Sequence, residues 1–245
     1  MDVSSEIVDA STADGEMAVL RTRPAEDGKW PLIILVHDGP GIRTATREFS
    51  AKLAAEGYEV IVPDLRHRHG RLIGFEPHER AADPSLNERM RGMVRSMTDA
   101  NIQTDIDAAL GAVGSAPDER LGVIGFCLGA RGAYRALMRA PERFVAGAMW
   151  HPSFLADDKP DSPHLTAGDL AQPLFIGVGD ADQIQPIAVN QPLFDAVDGL
   201  DHVTREVFPG ADHAYTWPDH PTYDERASTR SWAHTTTLFE QHLRA

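Results

Sequence analysis

The sequence contains a single cysteine, Cys127, among 245 residues. One thiol cannot form a disulfide within the chain, a pattern typical of proteins from a reducing compartment, and we therefore expect a cytoplasmic protein. The chain also lacks an apolar run long enough to span a membrane. Its first residues are acidic and carry no apolar segment of the kind found in signal peptides.

Positive charge is scarce as well. Lys and Arg total 23 against 37 Asp and Glu, which gives a formal net charge of −14. This excess of negative charge argues against nucleic acid or an anionic membrane as a partner. Apolar residues reach 42%, enough for a folded chain, and no repeat, low-complexity tract or linker interrupts the sequence. We predict one domain over residues 1–245, present as a monomer or a small homo-oligomer.

Short apolar runs alternate with helical patterns along the chain. The predicted strands cover residues 17–23, 32–36, 58–62, 121–124, 145–150, 174–178 and 203–208. The predicted helices cover residues 46–57, 86–114 in two pieces, 130–140, 187–200 and 224–243. Residues 71–84 have no clear period and predict an irregular excursion. This alternation predicts an α/β fold with a mostly parallel central sheet and helices on both faces.

The turn around Cys127 combines a nucleophile with two glycines. Gly125 and Gly129 flank the cysteine at two residues on either side, between an apolar run and a helical segment. Strand, tight turn and helix with a nucleophile at the centre indicate the nucleophile elbow of an α/β-hydrolase. The helix N-terminus that follows favours a thiolate over a thiol. The alternative is an inert cysteine buried in a Gly-rich turn.

A nucleophilic cysteine needs a base, and the base needs a carboxylate that orients it. Downstream of Cys127, one strand end carries Asp180 and Asp182, and a later one carries His213. The order of nucleophile, acid and histidine is that of α/β-hydrolases. Either aspartate could be the acid from position alone, since Asp180 lies nearer the strand end.

The motifs at these strand ends resemble those of the dienelactone hydrolase family. The similarity extends over roughly residues 32–215 and is carried by residues 63–70, 125–129, 179–186 and 208–213. It implies a single-domain α/β-hydrolase fold, hydrolysis of an ester or lactone, and no cofactor. The family pattern G-x-x-D-x-x-x-P further implies that Asp182 is the catalytic acid, because it lies three residues after Gly179 and four before Pro186.

Acyl transfer also requires donors for the oxyanion that develops in the transition state. The backbone N–H of Leu128, directly after the nucleophile, is one candidate. The other should come from the loop after residue 36, where Pro40 has no N–H and Gly39 is the better candidate.

The resemblance implies further roles at the substrate. Asp38 occupies the position of a family Glu that contacts the resting cysteine, although a plain turn residue is the alternative. Arg68 matches the first of two arginines that grip a substrate carboxylate, although an ion pair within the protein is the alternative. The second arginine position holds Trp217, which is otherwise core or pocket wall. His151, at a strand end, is expected to face the pocket.

The other histidines do not favour a metal site. His67 and His69 alternate, but the sequence has no HxxxH pattern and no cysteine-rich partner for them. We expect polar lining of a cleft rather than a metal centre, and no other cofactor.

The sequence thus predicts a hydrolase that cleaves a small-molecule ester or lactone through a Cys127–His213–Asp182 triad and an acyl-thioester intermediate. Two other classes stay open. One is a non-catalytic ligand-binding protein with the same fold. The other is a redox-reactive protein, whose lone cysteine would need a small-molecule thiol to resolve a sulfenate.

Overall fold

The computed structural model describes residues 1–244. The chain divides into two compact units, Met1–Leu121 and Gly122–Ala245. The expectation of a single domain over the whole chain stays a prediction.

The first unit combines a hairpin with a βαβ segment. Its strands are β1 (Val3–Thr12), β2 (Gly15–Pro24), β3 (Leu32–Val36) and β4 (Glu59–Pro63). Its helices are α1 (Thr44–Ala55), α2 (Pro77–Ala82), α3 (Ser85–Ser96) and α4 (Asp99–Ala112). The strands lie in the order β1-β2-β4-β3. The pairs β1/β2 and β2/β4 are antiparallel, and β3/β4 is parallel.

Strand β1 and helix α2 were not predicted from the sequence. Among the residues of β1 only Ala10 is buried, because the strand pairs on one side only and faces solvent along most of its length. Hydrophobic periodicity therefore gives no signal there, although the Asp14-Gly15 pair that begins β2 is a hairpin signal. Helix α2 is too short to show a helical period and lies in the segment predicted to be irregular.

The second unit carries the cysteine and the strand ends downstream of it. Its strands are β5 (Leu121–Phe126), β6 (Phe144–Trp150), β7 (Leu174–Gly179) and β8 (Val203–Phe208). Its helices are α5 (Leu128–Arg139), α6 (Ile187–Val197) and α7 (Glu225–Leu243). The strands lie in the order β5-β6-β7-β8, and the pairs β6/β7 and β7/β8 are parallel. The carboxyl ends of these parallel strands therefore meet at one edge.

The predicted α/β class is confirmed. Strands β3, β5 and β7 are buried at every position, as continuous apolar runs require. The segment 86–114 forms two helices, as predicted, with a break at residues 97 and 98. None of the helices in residues 1–244 combines the length and apolarity needed to cross a membrane.

A buried histidine holds the end of β3 in the first unit. His37 is 1% exposed, and its Nδ1 lies 2.8 Å from the carbonyl oxygen of Asp38. Its Nε2 lies 3.3 Å from the backbone nitrogen of Leu65. Only the neutral ring protonated at Nδ1 satisfies both contacts, because Nε2 must accept from an N–H. Burial, together with the charge of Arg66, lowers the pKa of His37 to about 3.

This buried neutral imidazole should make the protein sensitive to acid. The unfolded chain takes up a proton at His37 below a pH of about 6.5, whereas the folded chain does so only near pH 3. The free energy of unfolding should therefore fall as the pH drops through this window, by up to about 1.4 kcal/mol per pH unit. Urea unfolding of wild type and His37→Gln between pH 7 and pH 4 measures it. The variant should show a shallower pH dependence, and equal slopes would contradict the assignment.

Candidate active site

The cysteine lies at the apex of a strained turn between β5 and α5. Cys127 has φ 53° and ψ −119°, in the left-handed region that a residue with a Cβ rarely occupies. A Cβ added to Gly125 would lie 2.3 Å from the carbonyl oxygen of Gly129, so no larger residue fits at position 125. The turn therefore sets the cysteine side chain beside the N-terminus of α5, where the unpaired N–H groups favour negative charge.

The segment after β6 holds the elbow from the other side. The backbone nitrogen of Cys127 donates to the carbonyl of Trp150, at 3.2 Å, and Ser153 N donates to the carbonyl of Cys127, at 2.9 Å. The hydroxyl oxygen of Ser153 lies 3.5 Å from Cys127 Sγ. Sequence reasoning missed Ser153. Its only signal in the sequence is its place shortly after a strand end.

The two candidate acids have different partners. Asp182 is 5% exposed, and its Oδ2 lies 2.7 Å from His213 Nδ1. Its other oxygen, Oδ1, accepts hydrogen bonds from the backbone nitrogens of Ile184 and Gln185, at 2.8 and 2.6 Å. An ionised carboxylate only accepts, so Nδ1 of the histidine carries the proton in this contact. Asp182 is thus oriented by the backbone and is able to orient the ring of His213.

Asp180 instead accepts a hydrogen bond from the loop that carries His213. Its Oδ1 accepts a hydrogen bond from the backbone nitrogen of Gly210, at 2.6 Å. This is the role that an aspartate commonly plays in a turn.

The loops that carry Asp182 and His213 are packed against each other without space between them. A Cβ added to Gly179 would lie 2.1 Å from the carbonyl oxygen of Ala211, so only glycine allows this approach. Ala181 N also donates to the carbonyl of Ala211, at 3.0 Å. The glycine at the end of β7 therefore sets how close the acid and the histidine can come.

The charge state of His213 depends on its two neighbours. Burial by itself would lower the pKa of His213, but the negative charge of Cys127, and then the hydrogen bond and charge of Asp182, raise that pKa to about 10. A side-chain hydrogen bond with Cys127 is among the interactions that raise the pKa of His213. A negative charge on Cys127 therefore favours the protonated imidazole of His213 at neutral pH.

Aromatic side chains form a buried wall behind the histidine. His151 is 1% exposed, with φ 39°, and its ring centroid lies 4.8 Å from that of His213. Trp217 is also 1% exposed and lies 4.7 Å from the ring of Phe126. Both residues predicted to bind substrate thus lie in a packed cluster. Trp217 fits the core or pocket-wall alternative, and His151 packs against the ring of His213.

The remaining residues predicted for the site lie in the first unit. Asp38 and Gly39 follow β3 in a buried loop. Asp38 Oδ2 lies 3.9 Å from Arg43 Nη2, and its carbonyl accepts from Gly41 N at 3.1 Å, so the residue is both a turn residue and the neighbour of a buried cation.

Arg68 has carboxylate partners within the protein. Its guanidinium makes a bidentate pair with Asp105 of α4, at 2.8 and 2.9 Å, and its Nε donates to Asp14 at 2.6 Å. This geometry favours the ion-pair alternative over a grip on the substrate, because three of its N–H donors are already used.

The histidines beside Arg68 also have partners within the protein, and His67 shares Asp105 with Arg68. His67 Nε2 lies 3.2 Å from Asp105 Oδ1, and His69 Nε2 lies 2.8 Å from Ser96 Oγ. In residues 1–244 no group of three or more His, Cys, Asp or Glu side chains is placed to hold a metal ion.

The two aspartates should respond differently to the loss of charge. Asp182→Asn should lower the pKa of His213 and reduce the hydrolysis of an activated aryl ester by roughly a hundredfold to ten-thousandfold, because the ring loses its orienting carboxylate. Asp180→Asn is the matched control and should stay within about threefold of wild type, since an amide oxygen can still accept from Gly210. Steady-state kinetics on one ester decide the question. The opposite order would make Asp180 the acid.

Comparison with known proteins identifies the family of this chain. The model of the dienelactone hydrolase family matches residues 17–243. A Methylorubrum extorquens protein provisionally assigned as a carboxymethylenebutenolidase is 27% identical over 236 residues, which cover 94% of this chain and 78% of that protein. A Synechocystis protein with the same provisional assignment is 25% identical over 256 residues, covering 100% and 99% of the two chains.

Solved structures show the same fold. A crystal structure from Klebsiella pneumoniae, provisionally assigned as a dienelactone hydrolase, gives a TM-score of 0.83 at 24% identity and covers 99% of this chain and 100% of that one. A dienelactone hydrolase-like promiscuous phosphotriesterase from metagenomic libraries gives 0.77 at 20% identity, over 99% of both chains. Because the family model spans most of the sequence, this chain belongs to the dienelactone hydrolase family and is a carboxylic ester or lactone hydrolase with the α/β-hydrolase fold.

Proposed function

We propose that this hydrolase cleaves its ester or lactone through an acyl-thioester on Cys127, with His213 as base and Asp182 as the orienting acid. The observation that carries the proposal is the chain of contacts within the second unit. Asp182 Oδ2 lies 2.7 Å from His213 Nδ1, and the charge of Cys127 acts on the same ring to raise the pKa of His213. A nucleophile, a base and an orienting carboxylate are the components that acyl transfer requires.

Acylation begins from the thiolate–imidazolium pair. The thiolate sulfur of Cys127 attacks the carbonyl carbon and forms a C–S bond, and the carbonyl π electrons move onto oxygen. When the tetrahedral intermediate collapses, the C–O bond to the alcohol breaks. His213, which holds the proton taken from the thiol, gives it to the leaving oxygen. The products of this half-reaction are the thioester and the alcohol, or one ring-opened molecule if the substrate is a lactone.

Deacylation reverses these roles. The neutral imidazole of His213 takes a proton from water, and the resulting hydroxide attacks the thioester carbonyl. The C–S bond breaks, and the thiolate is again paired with an imidazolium. Asp182 keeps the ring in one tautomer through both half-reactions, because its Oδ2 accepts only from Nδ1 and leaves Nε2 to exchange the proton.

The developing oxyanion needs donors that are already in position. The backbone N–H of Leu128 is suitable because it begins α5, directly after the nucleophile, where the helix itself does not use its first N–H groups. The second donor, the backbone N–H of Gly39, stays a prediction from the sequence and the family resemblance.

The nucleophile restricts the substrate class. A thiolate is a better leaving group than an unprotonated amine, so an intermediate formed from an amide would tend to expel the thiolate. Esters with a stable leaving group, such as enol lactones, do not have this difficulty. We therefore propose an activated ester or lactone as the substrate.

The first test concerns Cys127. Because it is the only cysteine in the chain, iodoacetamide should add one group per molecule and abolish hydrolysis of an activated aryl ester. Cys127→Ser should fold but lose activity by roughly a hundredfold or more, because His213 would have to deprotonate a much weaker acid. Full activity after complete labelling would disprove the role of the thiol.

The same ester separates the other two protein classes. A burst of one alcohol per chain before steady turnover indicates an acyl-enzyme and excludes a pure binding protein. A redox-reactive protein would instead show peroxide-dependent modification of Cys127 by mass spectrometry without any burst.

The second test concerns substrate charge. Arg68 is paired within the protein and Trp217 is buried, so neither supplies the arginine clamp that the family resemblance implies. A dienelactone should therefore be preferred over its methyl ester by less than about tenfold, since each missing charge-assisted hydrogen bond removes about 1.5–3 kcal/mol. The ratio of the two kcat/KM values measures this preference.

Arg68→Gln is the control for that measurement and should leave the ratio unchanged. A thousandfold preference for the free carboxylate would contradict the prediction. Trp217→Arg, the rescue that the family pattern suggests, would put a guanidinium among buried rings, and we expect it to unfold the protein rather than restore selectivity.

A further inference from the structure

We propose that Ser153 is a positioning residue for the nucleophile, and that its hydroxyl donates a hydrogen bond to the thiolate of Cys127. The proposal rests on the function proposed above, because it assigns a partner to the same sulfur. No motif in the sequence indicates this contact.

The geometry of the contact is specific. Ser153 is 1% exposed, and its Oγ lies 3.5 Å from Cys127 Sγ, within the range of hydrogen bonds to sulfur. A hydroxyl removed from water needs a partner inside the protein, since burial without one is costly. The sulfur of Cys127 is the partner that the structure provides.

The backbone holds the elbow and the serine close together from both sides. Cys127 N donates to the carbonyl of Trp150, the last residue of β6, and Ser153 N donates back to the carbonyl of Cys127. The elbow and the residues after β6 are therefore joined by two hydrogen bonds that bracket the hydroxyl–sulfur contact. The two residues therefore cannot separate along the backbone without breaking one of these bonds, and the rotamer of Ser153 then sets the distance from Oγ to Sγ.

The turn that presents Ser153 is itself held firmly. His151 adopts φ 39°, and its backbone nitrogen donates to the carbonyl of Gly177, at 2.8 Å. The carbonyl of Pro152 accepts from the side-chain amide of Asn190, at 3.3 Å. A positive φ in a residue with a Cβ persists only where the surroundings impose it. Here the positive φ of His151 turns the chain so that Ser153, the third residue after β6, reaches the elbow.

The direction of the hydrogen bond follows from the charge of the sulfur. A thiolate can only accept, so the hydroxyl must donate to it, whereas a thiol could donate to the hydroxyl instead. The negative charge on Cys127 that acts on His213 favours the first arrangement. Once the sulfur is acylated it becomes a poor acceptor, so the hydrogen bond stabilises the resting thiolate more than the thioester.

Other charged groups near the sulfur must be separated from this effect. His213 and, through it, Asp182 act on Cys127, and His151 packs against the ring of His213. On α5, Arg131 is held by Asp157 at 2.9 Å. A serine variant leaves all these groups in place, so a change in the thiolate population reports the hydroxyl alone.

The test is the pH dependence of alkylation of Cys127 by iodoacetamide, measured on the full chain by mass spectrometry. Ser153→Ala should raise the pH of half-maximal rate by about one unit, which corresponds to a tenfold lower ratio of thiolate to thiol. Ser231→Ala is the matched control, because Ser231 is equally buried and bonds through its hydroxyl to Tyr215, at 2.9 Å. Its midpoint should equal that of wild type.

Ser153→Thr tests whether a change in side-chain size alone shifts the midpoint, because threonine keeps a hydroxyl at this position. Its midpoint should stay within about 0.3 pH units of wild type, a factor of two in the thiolate ratio. An unchanged or lowered midpoint in Ser153→Ala would overturn the proposal, since a lowered one means that the thiol donates to the serine. A shift in Ser153→Thr as large as that in Ser153→Ala would also overturn it.

The alkylation experiment tests the role of Ser153, and ester hydrolysis tests the thioester mechanism, so either proposal can be disproved without the other. If the midpoint shifts as expected but Cys127→Ser hydrolyses esters as well as wild type, the serine contact stands and the thioester mechanism falls. If hydrolysis depends on Cys127 but the midpoint does not move, the mechanism stands and Ser153 has no role in it.

Discussion

Nearby negative charge keeps His213 protonated, although burial by itself would lower the pKa of the ring. A buried imidazole ordinarily loses its proton, yet the charges of Cys127 and Asp182 raise the pKa of His213 to about 10. In the proposed resting state, the thiolate of Cys127 and the imidazolium of His213 stabilise each other. The proposed chemistry depends on this pairing, because an uncharged thiol would be a weak nucleophile.

Backbone groups help to hold both sides of this pair. The left-handed conformation of Cys127 and the first turn of α5 present N–H groups toward the sulfur side of the elbow. The carboxylate of Asp182 is fixed by two backbone N–H groups as well as by the histidine. Since these donors cannot rotate away as side chains can, little reorganisation is needed when charge moves during the proposed reaction.

The sequence predicts the strands and helices of this molecule better than the contacts between its side chains. Leu32–Val36 was predicted as a strand with the same bounds, because an uninterrupted β-branched and Leu run has few other solutions. Strand β1 was missed, since an edge strand that faces solvent carries no apolar period. The nucleophile, histidine and acid could be proposed because they lie within short motifs of fixed spacing.

Contacts between distant segments could not be read in this way. Arg68 lies in a motif that resembles a substrate-binding one. Its guanidinium is instead paired with Asp105, which lies 37 residues away in the chain. Ser153 and Cys127 are 26 residues apart, and neither segment contains a sequence pattern that predicts their contact. Such pairings depend on loop paths and on side-chain rotamers, which hydrophobic periodicity does not encode.

The close approach of Gly179 to Ala211 has a consequence for thermal motion. The two loops touch through backbone atoms and share the hydrogen bond from Ala181 N to the carbonyl of Ala211, so a displacement of one carries the other with it. The separation of Asp182 Oδ2 from His213 Nδ1 should therefore fluctuate less than the position of either atom. A single missing Cβ thus couples the motions of Asp182 and His213, which lie 31 residues apart in the chain.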